Sequence, residues 1–174
     1  MVPPQALNAE AQPMIHHRTP QFSAILTEVQ KMAQCLFGTS QPVYVSTSSG
    51  TGVMETAVCN IVSPGDKVIC MHAGKFGERW KELCEVYGAQ LVELQKEWGE
   101  SFGPEDIKPL LKQNPDTRAV YATQSETSTG ALSDVPGIAA VTRQTNALLI
   151  VDSITGIGIH PFKLDDWGVD IAVT

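Results

Sequence analysis

The residues best suited to chemistry begin in a glycine-rich turn, STSSGTGVMETA, at residues 46–57. The turn follows a predicted strand and opens a predicted helix. Backbone N–H groups at the start of a helix, together with the helix dipole, bind anions such as phosphate. The Ser49 and Thr51 hydroxyls would add hydrogen bonds, and Gly50 and Gly52 would let the backbone approach a ligand closely. A plain glycine turn with a hydroxyl cap has the same pattern, and the turn alone favours neither interpretation.

Two known phosphate-binding motifs do not fit this turn. A P-loop requires Gly-Lys-Ser/Thr, and no lysine follows these glycines. A dinucleotide fingerprint requires a third glycine, where this sequence has Glu55. The acidic residue that such a fingerprint needs about 20 residues later is also missing.

Asp152 is a second candidate site residue, because a buried carboxylate needs a partner. It ends the apolar run LLIV, which predicts a strand buried on both faces, and a buried carboxylate is unfavourable unless something pairs with it. It could cap the next segment, pair with a buried Arg or Lys, or accept an N–H of a ligand. A carboxylate against a pyridine nitrogen keeps that nitrogen protonated. Pyridoxal phosphate requires such a partner, because its pyridinium acts as the electron sink.

A third candidate segment is the loop QSETSTG at residues 124–130, which directly follows the predicted strand RAVYAT. It crowds a carboxylate and three hydroxyls before Gly130: Glu126, Thr127, Ser128 and Thr129. Alone it is typical of a solvated turn. Next to the glycine-rich turn it favours the lining of a site for a small polar, phosphorylated ligand.

The elements that must position these loops alternate along the chain. The sequence predicts strands at PVYVS, KVICMH, AQLVELQ, RAVYAT, ALLIVD and VDIAVT, with helical segments between them. Strands joined by helices imply crossover connections, so we predict a three-layer α/β/α fold with a mainly parallel sheet. Ligands of such sheets bind beyond the carboxyl ends of the strands, which is where the candidate loops lie.

Composition excludes several other classes of function. The net charge is −7 and no basic cluster is present, so neither nucleic acid nor an anionic membrane is a predicted partner. No apolar run approaches the roughly 20 residues of a membrane span. The cysteines and histidines lack the spacing of metal ligands, and no metal site is predicted.

Four motifs, SSGTGVMETA, AGKFGERW, QSETSTGAL and VDSITGIG, together resemble the class V aminotransferases, which are fold type I enzymes that use pyridoxal phosphate. The sequence most resembles the alanine/serine–glyoxylate group, and MIHHRTPQF is similar to the N-terminal segment of that group. The resemblance covers essentially the whole chain. It implies transamination between a small amino acid, alanine or serine, and a 2-oxo acid such as glyoxylate or pyruvate. It also implies a homodimer.

The resemblance assigns the glycine-rich turn to the cofactor phosphate. Ser49, Gly50 and Thr51 match the phosphate-binding positions of the family.

The resemblance assigns four further residues to the cofactor ring. Phe76 matches the aromatic residue stacked on the ring, often Trp in relatives, although it could also be a core residue of its helix. Thr127 matches the hydroxyl residue beside the 3′-oxygen. Asp152 matches the pyridinium partner, and Ile154 the apolar residue under the ring.

The sequence departs from the family at its C-terminal end. The cofactor-binding lysine of the family lies a few residues after the strand VDIAVT, whereas this chain ends at Thr174. We therefore expect an extended N-terminal arm at residues 1–17 and an incomplete large cofactor domain at residues 18–174, with the C-terminal small domain absent. The chain alone is expected to be inactive.

Two other interpretations stay open. The chain could be a non-catalytic, phosphate-ligand-binding or dimerising fragment. It could also perform related fold type I chemistry as a desulfurase or lyase, although a desulfurase normally places His, not Phe76, over the ring. The expected location is the cytoplasm, or an organelle such as the peroxisome in a eukaryote.

Overall fold

The computed structural model describes residues 2–174. Five parallel strands form the central sheet in the order β2-β1-β3-β6-β7. They are β1 (Lys67–His72), β2 (Gln90–Gln95), β3 (Ala119–Thr123), β6 (Leu148–Asp152) and β7 (Ile171–Val173). A separate antiparallel pair, β4 (Ser125–Glu126) and β5 (Ala131–Leu132), lies within the loop after β3. Within residues 2–174 there are seven helices: α1 (Pro4–Glu10), α2 (Pro20–Phe37), α3 (Gly50–Ile61), α4 (Lys75–Val86), α5 (Pro104–Gln113), α6 (Val135–Thr142) and α7 (Leu164–Trp167).

The sheet is covered by helices on both faces, which confirms the predicted three-layer α/β/α fold. Alternate residues of β1 point to opposite faces, as the period of a strand requires. Ile69 and Met71 belong to the hydrophobic cluster that includes Ile107 of α5 and Ile138 of α6. The other cluster contains Val68 and Cys70 with residues of α3 and α4, including Met54 and Trp80.

Helix α2 is capped at both ends but leaves its apolar residues uncovered. The Thr19 hydroxyl accepts a hydrogen bond from the Phe22 N–H, and Gly38 ends the helix at φ +61°. Only Phe37 of this helix is buried. Several large apolar side chains are 45 to 58% exposed: Ile25, Leu26, Met32 and Leu36.

The predicted strand PVYVS is wrong, because residues 42–46 pair with no strand in the described part of the chain. Tyr44 is 86% and Val45 is 70% exposed. The local pattern does suit a strand, but a strand forms only where a neighbour accepts its hydrogen bonds.

The expectation of an extended arm at residues 1–17 is wrong for residues 4–10, which form α1. Pro4 occupies the first turn, where its fixed φ suits a helix and its missing N–H is not needed. Residues 2–14 are all exposed. Met1 lies outside the described residues. No helix within residues 2–174 is long and apolar enough to cross a membrane.

Candidate active site

The loops predicted to bind a ligand meet at the carboxyl edge of the sheet. The loop after β6 touches the start of α3 so closely that a Cβ on Gly50 would lie 2.6 Å from Cδ1 of Ile154. A side chain at position 50 would therefore force the Ile154 side chain to shift. The Thr127 and Thr155 hydroxyls lie 3.0 Å apart and join the loops after β3 and β6.

Asp152 is the most perturbed acid of this edge. It is 3% exposed, and one of its oxygens accepts a hydrogen bond of 2.9 Å from the Ile154 N–H. The pKa of its carboxyl group is raised to about 6: burial is the main cause and the charge of Glu126 adds to it, while the Ile154 hydrogen bond and the charge of Arg79 partly offset the rise. Within residues 2–174 Asp152 has no ion-pair partner. A buried Arg or Lys partner is therefore excluded there, and the carboxylate can accept a cationic N–H.

The neighbour of Asp152 in the sheet is also short of a partner. Thr123 pairs in register with Asp152, and its buried hydroxyl makes no hydrogen bond to any described residue. A buried polar atom without a partner is unfavourable. Two adjacent strands thus end in buried polar groups with unused capacity.

The glycine-rich turn opens α3 as the sequence predicts. The Ser49 hydroxyl caps the helix by accepting a hydrogen bond of 3.4 Å from the Gly52 N–H, which is the plain-turn role for this residue. Nη1 of Arg79 donates a hydrogen bond of 2.8 Å to the Thr51 hydroxyl. The structure thus adds Arg79 to the predicted residues of the turn.

Phe76 lies in the first turn of α4 and is half-buried rather than part of either core cluster. The role of a core residue of its helix is therefore excluded. The guanidinium carbon of Arg79 lies 5.2 Å from the centroid of its ring, a cation–π distance.

Glu126 fixes the start of α4. It is 6% exposed, and its carboxylate accepts hydrogen bonds from the Phe76 N–H at 3.1 Å and the Gly77 N–H at 2.9 Å. It also accepts from the N–H and hydroxyl of Ser128, whose oxygen in turn accepts from the Lys75 N–H. The negative carboxylate lies where the helix dipole favours it.

Sequence reasoning placed Glu126 in a candidate loop but gave it no task, and it missed Arg79. A signal for Glu126 was present, because α4 follows Gly74, which has no side chain to cap the helix. The N–H groups at the start of α4 are then open to water or to an acceptor from another segment. No corresponding signal in the sequence identified Arg79.

This combination defines an α/β protein with a candidate ligand site at the carboxyl edge of a parallel sheet, built from a buried acid, an aromatic ring and a glycine-rich helix start. The family to which this protein belongs follows from its similarity to known proteins. The aminotransferase class-V family matches residues 5–174, and the chain belongs to that family. Its members are fold type I enzymes that depend on pyridoxal phosphate.

Individual relatives agree with this membership. The chain is 37% identical over 174 residues to an uncharacterized aminotransferase of Methanocaldococcus jannaschii, covering 100% of this chain and 45% of the relative. It is 38% identical over 181 residues to the L-aspartate–glyoxylate aminotransferase of Paracoccus denitrificans, covering 99% and 45%. The crystal structure of an alanine–glyoxylate aminotransferase from Nostoc sp. superposes with a TM-score of 0.93 at 34% identity, covering 97% and 45%. The chain thus spans about half the length of the relatives it matches.

Proposed function

We propose that the protein uses pyridoxal phosphate to transfer an amino group from a small amino acid to a 2-oxo acid such as glyoxylate. The observation that carries the proposal is Asp152, a buried carboxylate at the ligand edge with no cationic partner among residues 2–174. The naming of relatives as L-aspartate–glyoxylate and serine–glyoxylate aminotransferases supports glyoxylate as the acceptor.

The residues present fit the cofactor. A pyridinium N–H would supply the positive partner that Asp152 lacks, and the negative phosphate suits the start of α3. When bound, the cofactor withdraws electrons from the amino acid through its protonated ring. Asp152 holds the proton on the ring nitrogen, because a carboxylate in contact favours the charged form.

The other predicted residues orient and shield the ring. Phe76 would stack on one face of the bound ring, and Ile154 would pack under it and exclude water. Thr127 would lie beside the 3′-oxygen, where its hydroxyl could exchange a hydrogen bond. Its contact of 3.0 Å with Thr155 holds that hydroxyl in place.

From the resemblance we infer that the cofactor-binding lysine follows Thr174 in the full-length protein. We therefore predict that residues 1–174 alone do not catalyse amino transfer. The lysines of the chain are Lys31, Lys67, Lys75, Lys81, Lys96, Lys108, Lys112 and Lys163. None occupies the position after β7 at which the family has its lysine.

We also propose that the protein is a homodimer in the cytoplasm. The large apolar side chains that α2 leaves exposed support a second copy as a partner. The relatives named above come from bacteria and an archaeon, and they give the peroxisomal alternative no support.

An amino-transfer assay tests the proposed function. The full-length protein, supplied with pyridoxal phosphate and glyoxylate, is expected to form glycine from alanine, serine or aspartate, together with an equal amount of the matching oxo acid. Asp152→Asn is expected to keep its fold and lose most of the turnover. A protein that holds the cofactor but forms no glycine from any donor would contradict the proposed substrate class, and formation of alanine from cysteine, with sulfide released when a thiol reductant is present, would favour a desulfurase.

A further inference from the structure

Arg79 reaches three predicted parts of the site from one position on α4. It donates to the Thr51 hydroxyl at 2.8 Å, and its guanidinium lies over the ring of Phe76 at 5.2 Å. Its positive charge also acts on Asp152 and lowers the pKa of that carboxyl group. No other Arg or Lys in residues 2–174 makes a hydrogen bond to a predicted site residue.

The hydrogen bond to Thr51 fixes which way that hydroxyl is polarised. A guanidinium has donors only, so the Thr51 oxygen must accept, and the hydroxyl proton is left for another partner. In the described part of the chain no acceptor takes that proton, since the contact with Arg79 is the single hydrogen bond of this side chain.

The charge of Arg79 is not neutralised by a contact. No carboxylate lies within ion-pair distance of its guanidinium in residues 2–174. The side chain is half-buried, next to the positive end of the α3 dipole. Together these features suit an anionic group in front of Thr51.

We propose that Arg79 is a positioning residue for the cofactor phosphate: it holds the Thr51 hydroxyl with its proton directed at a phosphate oxygen and supplies a compensating positive charge. This inference rests on the proposed function, because it takes the phosphate to be that of the bound cofactor. This part of its effect acts through the phosphate and adds to its contact with Phe76 and its charge near Asp152.

The test compares two ligands that differ only in the phosphate. Dissociation constants of pyridoxal phosphate and of pyridoxal are measured by absorbance for the full-length protein and for Arg79→Met, Arg79→Lys, Thr51→Val and the double variant Arg79→Met/Thr51→Val. Arg143→Met is the control, because Arg143 lies at the C-terminal end of α6, away from the ligand edge.

We expect Arg79→Met to weaken the binding of pyridoxal phosphate by about 10- to 100-fold, the usual range for a hydrogen bond to a charged group, and to weaken pyridoxal binding by a clearly smaller factor, which reports the contact of Arg79 with Phe76 and its charge near Asp152. Arg79→Lys keeps the charge and a donor but not the planar guanidinium, and is expected to restore part of the affinity. Thr51→Val should imitate Arg79→Met. The double variant should bind more tightly than two independent losses would give, because both act through one hydroxyl.

Three results would overturn the proposal: unchanged binding in Arg79→Met, an equal loss for both ligands, or strictly additive losses in the double variant. If Arg79→Met does not fold, as judged by circular dichroism, two other variants decide the outcome. Thr51→Val should lose affinity for pyridoxal phosphate more than for pyridoxal, and Arg79→Lys should lose part of its affinity for pyridoxal phosphate. A wild-type protein that binds neither ligand would instead refute the proposed function, and so the two failures are distinguishable.

Discussion

Asp152→Asn is expected to stabilise the cofactor-free protein while it removes the proposed catalytic group. Burial raises the pKa of Asp152 from its ordinary value of 3.8 to about 6, so the folded protein binds this proton more tightly than the unfolded chain does. The associated stability is fully present below the unfolded pKa and is lost as pH rises through the folded pKa. Ionisation of Asp152 therefore lowers the free energy of unfolding of the wild type by roughly 3 kcal/mol at pH 8, and by about half of that at pH 5. Asparagine does not ionise, so the variant does not lose this stability as the pH rises.

The assay is urea unfolding of the cofactor-free wild type and variant at both pH values. The free energy of unfolding of the variant should exceed that of the wild type at pH 8, and the gap should narrow by about 1.4 kcal/mol at pH 5. Asp166→Asn, with a side chain that is 72% exposed, is the matched control for the substitution of an acid by its amide. A gap that is negative or independent of pH would refute the argument from burial.

Three further predictions concern the surroundings of Asp152. Glu126→Gln removes the charge that caps α4 and turns an acceptor into a donor, so it should lower the free energy of unfolding by about 2 to 3 kcal/mol in urea unfolding, whereas exposed Glu105→Gln should have little effect. Gly50→Ala places a Cβ 2.6 Å from Ile154 and should weaken cofactor retention during dialysis; the added change Ile154→Ala should restore part of it, and no restoration would contradict this cause. Phe76→Leu should weaken cofactor binding by about 0.5 to 1.5 kcal/mol, measured by titration, while Phe76→Trp should bind as wild type; equal losses in both would exclude stacking.

Much of the fold could be predicted because its signals are local. Apolar runs mark β1, β2, β3 and β6, and helix caps mark the helices between them. The alternation of these strands with helices dictates parallel pairing. The failure at residues 42–46 has a non-local cause: the strand pattern is present, but pairing depends on a neighbour that the local sequence does not specify. The β4–β5 pair was missed because each strand has only two residues, too few for a periodic pattern.

The candidate site also combines local features, which the sequence could predict, with long-range contacts, which it could not. The burial of Asp152 and the start of α3 at Gly50 follow from short motifs, a buried run ending in an acid and a glycine-rich turn. The tasks of Glu126 and Arg79 do not. Their partners lie 49 and 28 residues away in the sequence, and only the packing of α4 against the sheet edge and α3 brings them together.

The central claim is that this chain forms part of a pyridoxal phosphate site. The most direct measurement is the mass of the full-length protein after borohydride reduction, which makes a cofactor–lysine linkage permanent, followed by peptide mapping. We predict one pyridoxyl-phosphate group per chain, on a lysine that follows the position equivalent to Thr174. A folded protein that gains no adduct in excess pyridoxal phosphate would contradict the claim, and an adduct confined to one of the eight lysines within residues 1–174 would contradict the predicted place of the linkage.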